Sequence, residues 1–222
     1  MFRRVSILLL ALLGVFVLLP APAAQAQAAG TCVLYAPSRI AIGRPYLGVR
    51  LGMSGPCASP DGYASWFLYH PTQGLQEGAL FDSTTSEYWD VYNFHTIGLH
   101  TWRPSSAWDA NYVDQSQNTP TTDIRLAAAA WIASSRKSDV VILTGTSLLY
   151  STSSDKYFKR SAAGVFQFRE RGTTTWKNLK SVWTTSAGVA TMSNRYSRVR
   201  DYRFTLYSTP ISWDLGSATT TR

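Results

Sequence analysis

Gly164-Val165-Phe166-Gln167-Phe168-Arg169 alternates two kinds of side chain with a period of two. Val165 and Gln167 fall on one face of an extended chain and Phe166 and Phe168 on the other, the pattern of a half-buried β-strand. Arg171-Gly172-Thr173 follows as a turn, and Trp176 to Val182 begins another run of the same kind. Working outward, the same signature marks Val140–Thr144, Ser147–Ser151, Gly188–Met192, Tyr202–Leu206 and Trp213–Thr219, with Ser186-Ala187-Gly188 as a further turn. Seven short strands in roughly 85 residues is the number expected of an immunoglobulin-like or fibronectin-like sandwich.

The chain ahead of this region reads alike. Cys32–Tyr35, Tyr46–Gly52, Ala64–His70, Trp89–Phe94, Ile97–Trp102 and Ile124–Ala133 are the expected strands. Trp102 to Thr122 carries Pro104, Asn111, Asn118 and Pro120 and reads as a long loop. The polar stretch Ser134-Ser135-Arg136-Lys137-Ser138 marks the boundary, giving two tandem all-β domains, 31–133 and 139–222. Leu126 to Ala130 has helical propensity, but Ile124, Leu126, Ala128, Ala130 and Ile132 share one face at period two, which favours a strand.

The first 28 residues fit neither domain. Arg3 and Arg4 precede an apolar run from Val5 to Leu19, Pro20 ends it, and Ala24-Gln25-Ala26 and Ala26-Gln27-Ala28 both fit an A-x-A cleavage site. This is the order of a secretory signal peptide, and about 15 apolar residues fall short of the roughly 20 a spanning helix needs. The expectation is an exported chain, secreted or associated with the cell envelope, with no transmembrane helix once the leader is removed.

Cys32 and Cys57 are the two cysteines, and in an oxidising compartment an even count favours one disulfide. Joining residues 25 positions apart would stabilise by roughly 3 kcal/mol in the chain-entropy picture. Both cysteines precede Trp66, so the bond would pin the N-terminal strand to a neighbouring strand or loop and would not staple two sheets.

At 45% hydrophobic and 15% charged residues the chain is globular in composition, and its formal charge of +8 is unevenly placed. Thr31 to Ala133 carries five arginines against eight acids, a net of −3, while Ser134 to Arg222 carries fourteen basic residues against five acids, a net of +9. A split of this size suggests domains with different surfaces, and a basic exported domain suits anionic partners as well as simple solubility.

The second half also resembles a known pattern. Gly164-Val165-Phe166-Gln167-Phe168-Arg169, Trp176-Lys177-Asn178-Leu179, Thr184-Thr185-Ser186-Ala187-Gly188 and Asp201-Tyr202-Arg203 occur in the order found in Ig-like modules of secreted and surface proteins of actinobacterial type. The resemblance covers about Asp139 to Arg222. It implies a β-sandwich, a corner tyrosine at Tyr202 bonding back to backbone, and a spacer or interaction role without catalysis. The first half resembles the same class more loosely, lacking the Cys–Trp–Cys spacing of an antibody-type domain.

Candidates for chemistry are thin. His95 and His100, five residues apart, would point to opposite strand faces, and with His70 they offer no shared metal spacing. No G-x-S-x-G elbow, calcium loop, phosphate loop or dinucleotide fingerprint is present. Asp82, Glu87, Asp90 and Asp109 could pair as carboxylates only if the fold brought them together. No catalytic, cofactor-binding or metal-binding residue is therefore expected.

Aromatic density is the better signal. Eight Trp, and eleven aromatic residues between Tyr63 and Trp108, either pack core and domain interface or leave a row of rings exposed as a platform for polysaccharide or a protein partner. Trp89, Trp102 and Trp108 are the platform candidates. Lys156, Lys159 and Arg160 around Tyr157 and Phe158, with Arg195, Arg198, Arg200 and Arg203 around Tyr196 and Tyr202, form a second candidate, either a solvated face or a site for polyanions. Export favours an anionic cell-wall polymer, polysaccharide or another envelope protein over intracellular nucleic acid. The expected function is non-enzymatic binding or spacing, with a carbohydrate-binding module as the competing reading and a hydrolase a distant third.

Overall fold

The computed structural model describes residues 30–222, so the leader expected over residues 1–28 lies outside the described residues. Nine strands form a first sandwich: β1 (Thr31–Tyr35), β2 (Arg39–Ile42), β3 (Tyr46–Ser54), β4 (Tyr63–His70), β5 (Gly74–Asp82), β6 (Ser86–Tyr92), β7 (Gly98–Trp108), β8 (Ser116–Gln117) and β9 (Thr121–Leu126). A second is built from β10 (Ala128–Lys137), β11 (Val140–Ser151), β12 (Lys156–Lys159), β13 (Ala163–Glu170), β14 (Lys177–Trp183), β15 (Val189–Arg195), β16 (Arg200–Leu206), β17 (Leu215–Gly216) and β18 (Thr220–Thr221). No helix occurs among the described residues.

The strand order is immunoglobulin-like. In the first sandwich β6-β3-β1-β8 faces β2-β9-β7-β4-β5, and the opening segment divides between them. β1 pairs antiparallel with β3 in one sheet, and β2 pairs parallel with β9 in the other. In the second, β10-β11-β12, with β15 also on β11, faces β14-β13-β16, and β17 and β18 pair with β16. Alternation along each strand fills the space between sheets. Trp66, Phe81, Trp89 and Trp102 meet edge-on in the first core, and Phe166 and Phe204 pack 5.0 Å apart in the second.

Cys32 and Cys57 form a disulfide. Cys32 lies on β1 and Cys57 just beyond β3 in the same sheet, so the bond ties the first strand to its neighbour and does not join the two sheets, which are held by packing and by bonds such as Gln117 Nε2 to Ser65 O.

Several elements differ from the sequence reading. The expected loop from Trp102 is strand to Trp108, with Pro104 tolerated where the β4–β7 register shifts. Ile124–Ala133 is two strands. β9 ends at Leu126 in the first sandwich, and β10 belongs to the second, paired with β11 along its whole length from Ala128↔Leu149 to Lys137↔Val140. The polar stretch at Ser134 is therefore the exposed end of an edge strand, where charge and hydroxyl groups guard an unpaired flank, and the sheets change over at Ala127. Val140 to Ser151 is one uninterrupted strand, and Trp213–Thr219 is mostly irregular. Tyr202 is buried, but its hydroxyl makes no bond to backbone; Asn194 faces it instead.

One residue separates the two sandwiches, and the junction is clamped around it. Ala127 donates to the Ile42 carbonyl at 2.7 Å and accepts from Tyr150 N at 2.9 Å, and the Tyr150 ring is buried in the first core. Leu126 N donates to the Ile211 carbonyl. Trp213 sends its indole N–H to the Ile40 carbonyl at 2.9 Å, with the guanidiniums of Arg39 and Arg125 4.3 and 3.8 Å from its ring centroid. Arg125 also donates to Thr209 O at 2.6 Å. On the opposite flank Asn93 reaches Asp155 at 2.7 Å. The backbone at Gly43 approaches the Tyr157 hydroxyl so closely that an added Cβ would lie 2.4 Å from it, which leaves only glycine room.

Candidate ligand platform

The tryptophans expected to form a platform do not form one. Trp89 is 2% exposed and Trp102 fully buried, because each falls on the inward phase of its strand. Trp102 also spends its indole N–H on Thr122 Oγ1. Trp108 is half-buried and lies flat on Tyr63, 4.1 Å between centroids. The cue missed in the sequence is Asp90: a charge at that position assigns Tyr88, Asp90 and Tyr92 to the solvent phase and Trp89 and Val91 to the core.

That solvent phase builds a platform of its own on the outer face of the β6-β3-β1 sheet. Tyr92 pairs with Tyr46, Asp90 with Gly48, Tyr88 with Arg50 and Ser86 with Gly52, while Tyr35 lies across from Gly52 on the other side. The glycines leave a low floor between raised rings. A Cβ on Gly48 would meet the Tyr46 hydroxyl at 3.1 Å and the Tyr88 ring at 3.8 Å. Tyr88 is 65% exposed, and Tyr35 and Tyr46 are exposed as well. Polar groups are fixed between the rings: Tyr46 donates to Asp90 Oδ1 at 2.9 Å, Arg50 to Ser86 Oγ at 2.8 Å and Ser54 to the Tyr35 hydroxyl at 3.0 Å. The Asp90 contact, with burial and the carboxylate charge adding to it, raises the Tyr46 phenol above its usual pKa.

The row ends in a turn that holds rings parallel. Tyr92, Phe94 and His95 lie within 12° of one another at centroid distances of 5.2 to 6.0 Å, and Phe94 is 77% exposed. Backbone bonds fix this turn, with Asn93 N donating to Pro45 O and Tyr92 N to His95 Nδ1. Arrangements of flat, exposed rings with hydrogen-bonding groups between them can hold a ligand by stacking and by bonds to hydroxyl groups.

The basic candidates divide into two groups. Lys156, Lys159 and Arg160 lie on or just after β12, against the Leu148–Ser151 end of β11, and Arg195 lies opposite Val140 at its other end, about 30 Å away at strand spacing. Lys156 and Lys159 are exposed. Arg195 pairs with Asp139, and Arg200 is taken up by Glu170 while lying against Phe168 and Tyr196. Arg200 holds the Glu170 carboxyl below its ordinary range. Arg198 contributes its carbonyl to Arg136. These residues do not converge on one surface.

A third basic cluster does converge, on the outer face of β13 and β16. Arg169 and Arg203 both lie over the Trp176 ring, at 4.8 and 4.4 Å. Asp201 is shared between Arg169 at 3.0 Å and Arg171 at 3.6 Å, and the Thr221 hydroxyl, followed by the arginines, holds its carboxyl below the usual value. Among the described residues Arg203 has no carboxylate; the Gln167 side-chain oxygen takes its Nε–H at 2.7 Å.

The groups considered for catalysis stay apart in role. Asp109 caps its own loop through the amides of Asn111 and Val113, and Asp82 accepts from Ser83. His100 is buried, which lowers its pKa, and its Nδ1 faces the Gly98 carbonyl. His70 lies 5.0 Å from it, ring to ring. Among the described residues no group of three His, Cys, Asp or Glu is placed to hold a metal ion.

No family model matches the chain, and no curated protein matches it in sequence. Solved structures align over most of its length. Bovine butyrophilin aligns at TM-score 0.36 with 10% identity, over 87% of this chain and 98% of that one. The D0-D1 domain of intimin aligns at 0.28 with 10% identity, over 86% and 96%. Trypsin-activated alpha-2-macroglobulin from Escherichia coli aligns at 0.30 with 8% identity, over 87% of this chain and 15% of that one. Scores this low carry no argument; the all-β immunoglobulin-like fold stands on the strand order above.

Proposed function

We propose that this chain is an exported, non-enzymatic binding protein of the cell envelope or extracellular space, and that its first sandwich holds a polysaccharide on the tyrosine face of β6-β3-β1. The observation that carries this reading is the outer row itself: Tyr35, Tyr46, Tyr88, Tyr92 and Phe94 stand around a glycine floor with Asp90 fixed among them. Rings of this kind stack on the apolar faces of sugar units, and Asp90, Arg50 and Ser86 offer bonds to hydroxyls. The disulfide suits an oxidising compartment, and no helix of the described residues is long and apolar enough to cross a membrane. The clamped junction favours spacing as a companion role, because two sandwiches joined through one residue present the platform at a fixed distance.

Retention on a panel of insoluble polysaccharides tests the reading. Tyr88→Ala with Phe94→Ala is expected to weaken retention about thirtyfold, since each of the two aromatic contacts contributes about 1 kcal/mol. Trp108→Ala, away from the row, is expected to leave it unchanged. Absence of retention on any polysaccharide, or retention indifferent to the double substitution, refutes the platform.

A further inference from the structure

The second sandwich carries a charge arrangement that its own residues do not complete. On the outer face of β13 and β16, Gln167 pairs with Arg203 and Arg169 with Asp201, so the two arginines are diagonal cross-strand neighbours about 7 Å apart. Arg169, Arg171 and Arg203 gather around one carboxylate, Asp201, which is already committed to the first two and to Thr221, while Glu170 at the same end is taken by Arg200. Arg203 is part-buried beside a like charge with no carboxylate partner among the described residues. Its Nε is fixed by Gln167, whose oxygen also accepts from Thr205 at 3.1 Å and whose amide nitrogen bonds Asn178 at 2.8 Å. The fork is therefore held in one orientation by its Nε, and its terminal nitrogens bond no group among the described residues. Burial and the neighbouring Arg169 both disfavour its charge. A part-buried, oriented, uncompensated guanidinium beside a second one is a geometry that an oxyanion completes, because a carboxylate or phosphate takes the fork in two parallel hydrogen bonds.

We infer that Arg203, with Arg169 beside it at the Trp176 ring, is a binding site for an oxyanion, the carboxylate or phosphate group of an acidic ligand. Trp176 forms the wall, keeping both guanidiniums against its face, and Gln167 sets the orientation of the fork. The site is separate from the tyrosine platform and stands or falls apart from it.

Titration of the folded chain with inorganic phosphate and, separately, with free glucuronate tests the site, read by the indole N–H resonance of Trp176. A saturable shift with either anion, at least tenfold weaker in Arg203→Gln and partly restored in Arg203→Lys, supports it. The tighter of the two anions identifies the ester or the carboxylate as the natural group. Substitution at Arg195, paired with Asp139 and carried by β15 in the facing sheet, is expected to change nothing. Titration of the wild-type chain keeps the test decisive should Arg203→Gln fold poorly. No saturable shift with either anion overturns the inference, as does Arg203→Gln binding as tightly as wild type; Trp176, Arg169 and Arg203 are then a stacked brace of the sheet and nothing more.

Discussion

Trp213→Ala should uncouple the two sandwiches. The indole N–H of Trp213 crosses the junction to the Ile40 carbonyl, and losing that bond costs about 1 kcal/mol. Two guanidiniums rest on the ring, Arg39 from β2 and Arg125 from β9, and each contact contributes roughly 0.5–1 kcal/mol. The half-buried ring adds about 1 kcal/mol of apolar burial. Together these give about 3 kcal/mol across the seam, which for a chain of this size corresponds to a fall of about 6–12 °C in Tm. Scanning calorimetry reads the outcome: a single coupled transition in the wild type, and in the variant two separated transitions with the lower one displaced by that amount. Trp213→Phe keeps a ring for the arginines and removes only the N–H, so its shift should be about a third as large. A Trp213→Ala thermogram within 2 °C of wild type and unchanged in shape would refute the claim that this ring couples the units, and would leave Leu126, Tyr150 and Asn93 to account for the junction.

Two further outcomes follow from the packing. Replacing Cys32 and Cys57 together by Ala should lower stability by roughly 3 kcal/mol in urea unfolding, with the loss confined to the first sandwich, where both residues lie. Gly145→Ala should cost about 1–3 kcal/mol, because a Cβ there would sit 2.6 Å from the Phe204 ring; combining it with Phe204→Leu should cost less than the two changes summed, and strict additivity in that double-mutant cycle would show that the ring and the glycine do not touch.

Strands were legible in this sequence wherever alternation was strict and both phases differed in polarity. Phe166 and Phe168 against Val165 and Gln167 is such a case: Phe166 packs in the second core with Phe168 against it, and Gln167 takes the outer face, though Val165 on that same face is buried as well. Legibility failed where a local cue competed with pairing across a distance. Pro104 reads as a loop residue, yet a register shift opposite it lets β7 continue. Ser134-Ser135-Arg136-Lys137 reads as a linker, but ten consecutive pairs with β11 hold it in the sheet, and an edge strand tolerates polar residues that a central one would not. The two tandem sandwiches were thus foreseeable, and the residue at which one sheet system gives way to the next was not.

The candidate sites expose a sharper asymmetry. In Tyr88-Trp89-Asp90-Val91-Tyr92 either phase supplies enough apolar area for a core, so aromatic content alone cannot say which rings face water; the charge on Asp90 settles it, since burying a carboxylate unpaired costs far more than burying a second tryptophan gains. A single charged residue within a strand is therefore better evidence for a platform than any number of tryptophans. Arg169, Trp176 and Arg203 pose the harder problem. Clusters read along the chain group Arg203 with Arg195, Arg198 and Arg200, whereas the antiparallel register groups it with residues more than thirty positions earlier and leaves Arg200 neutralised by Glu170. Runs of like charge in sequence mark where cations begin, but cross-strand register decides which of them find a carboxylate. Arg203, part-buried, oriented by Gln167 and without a carboxylate among the described residues, is the place this register offers to a partner from outside.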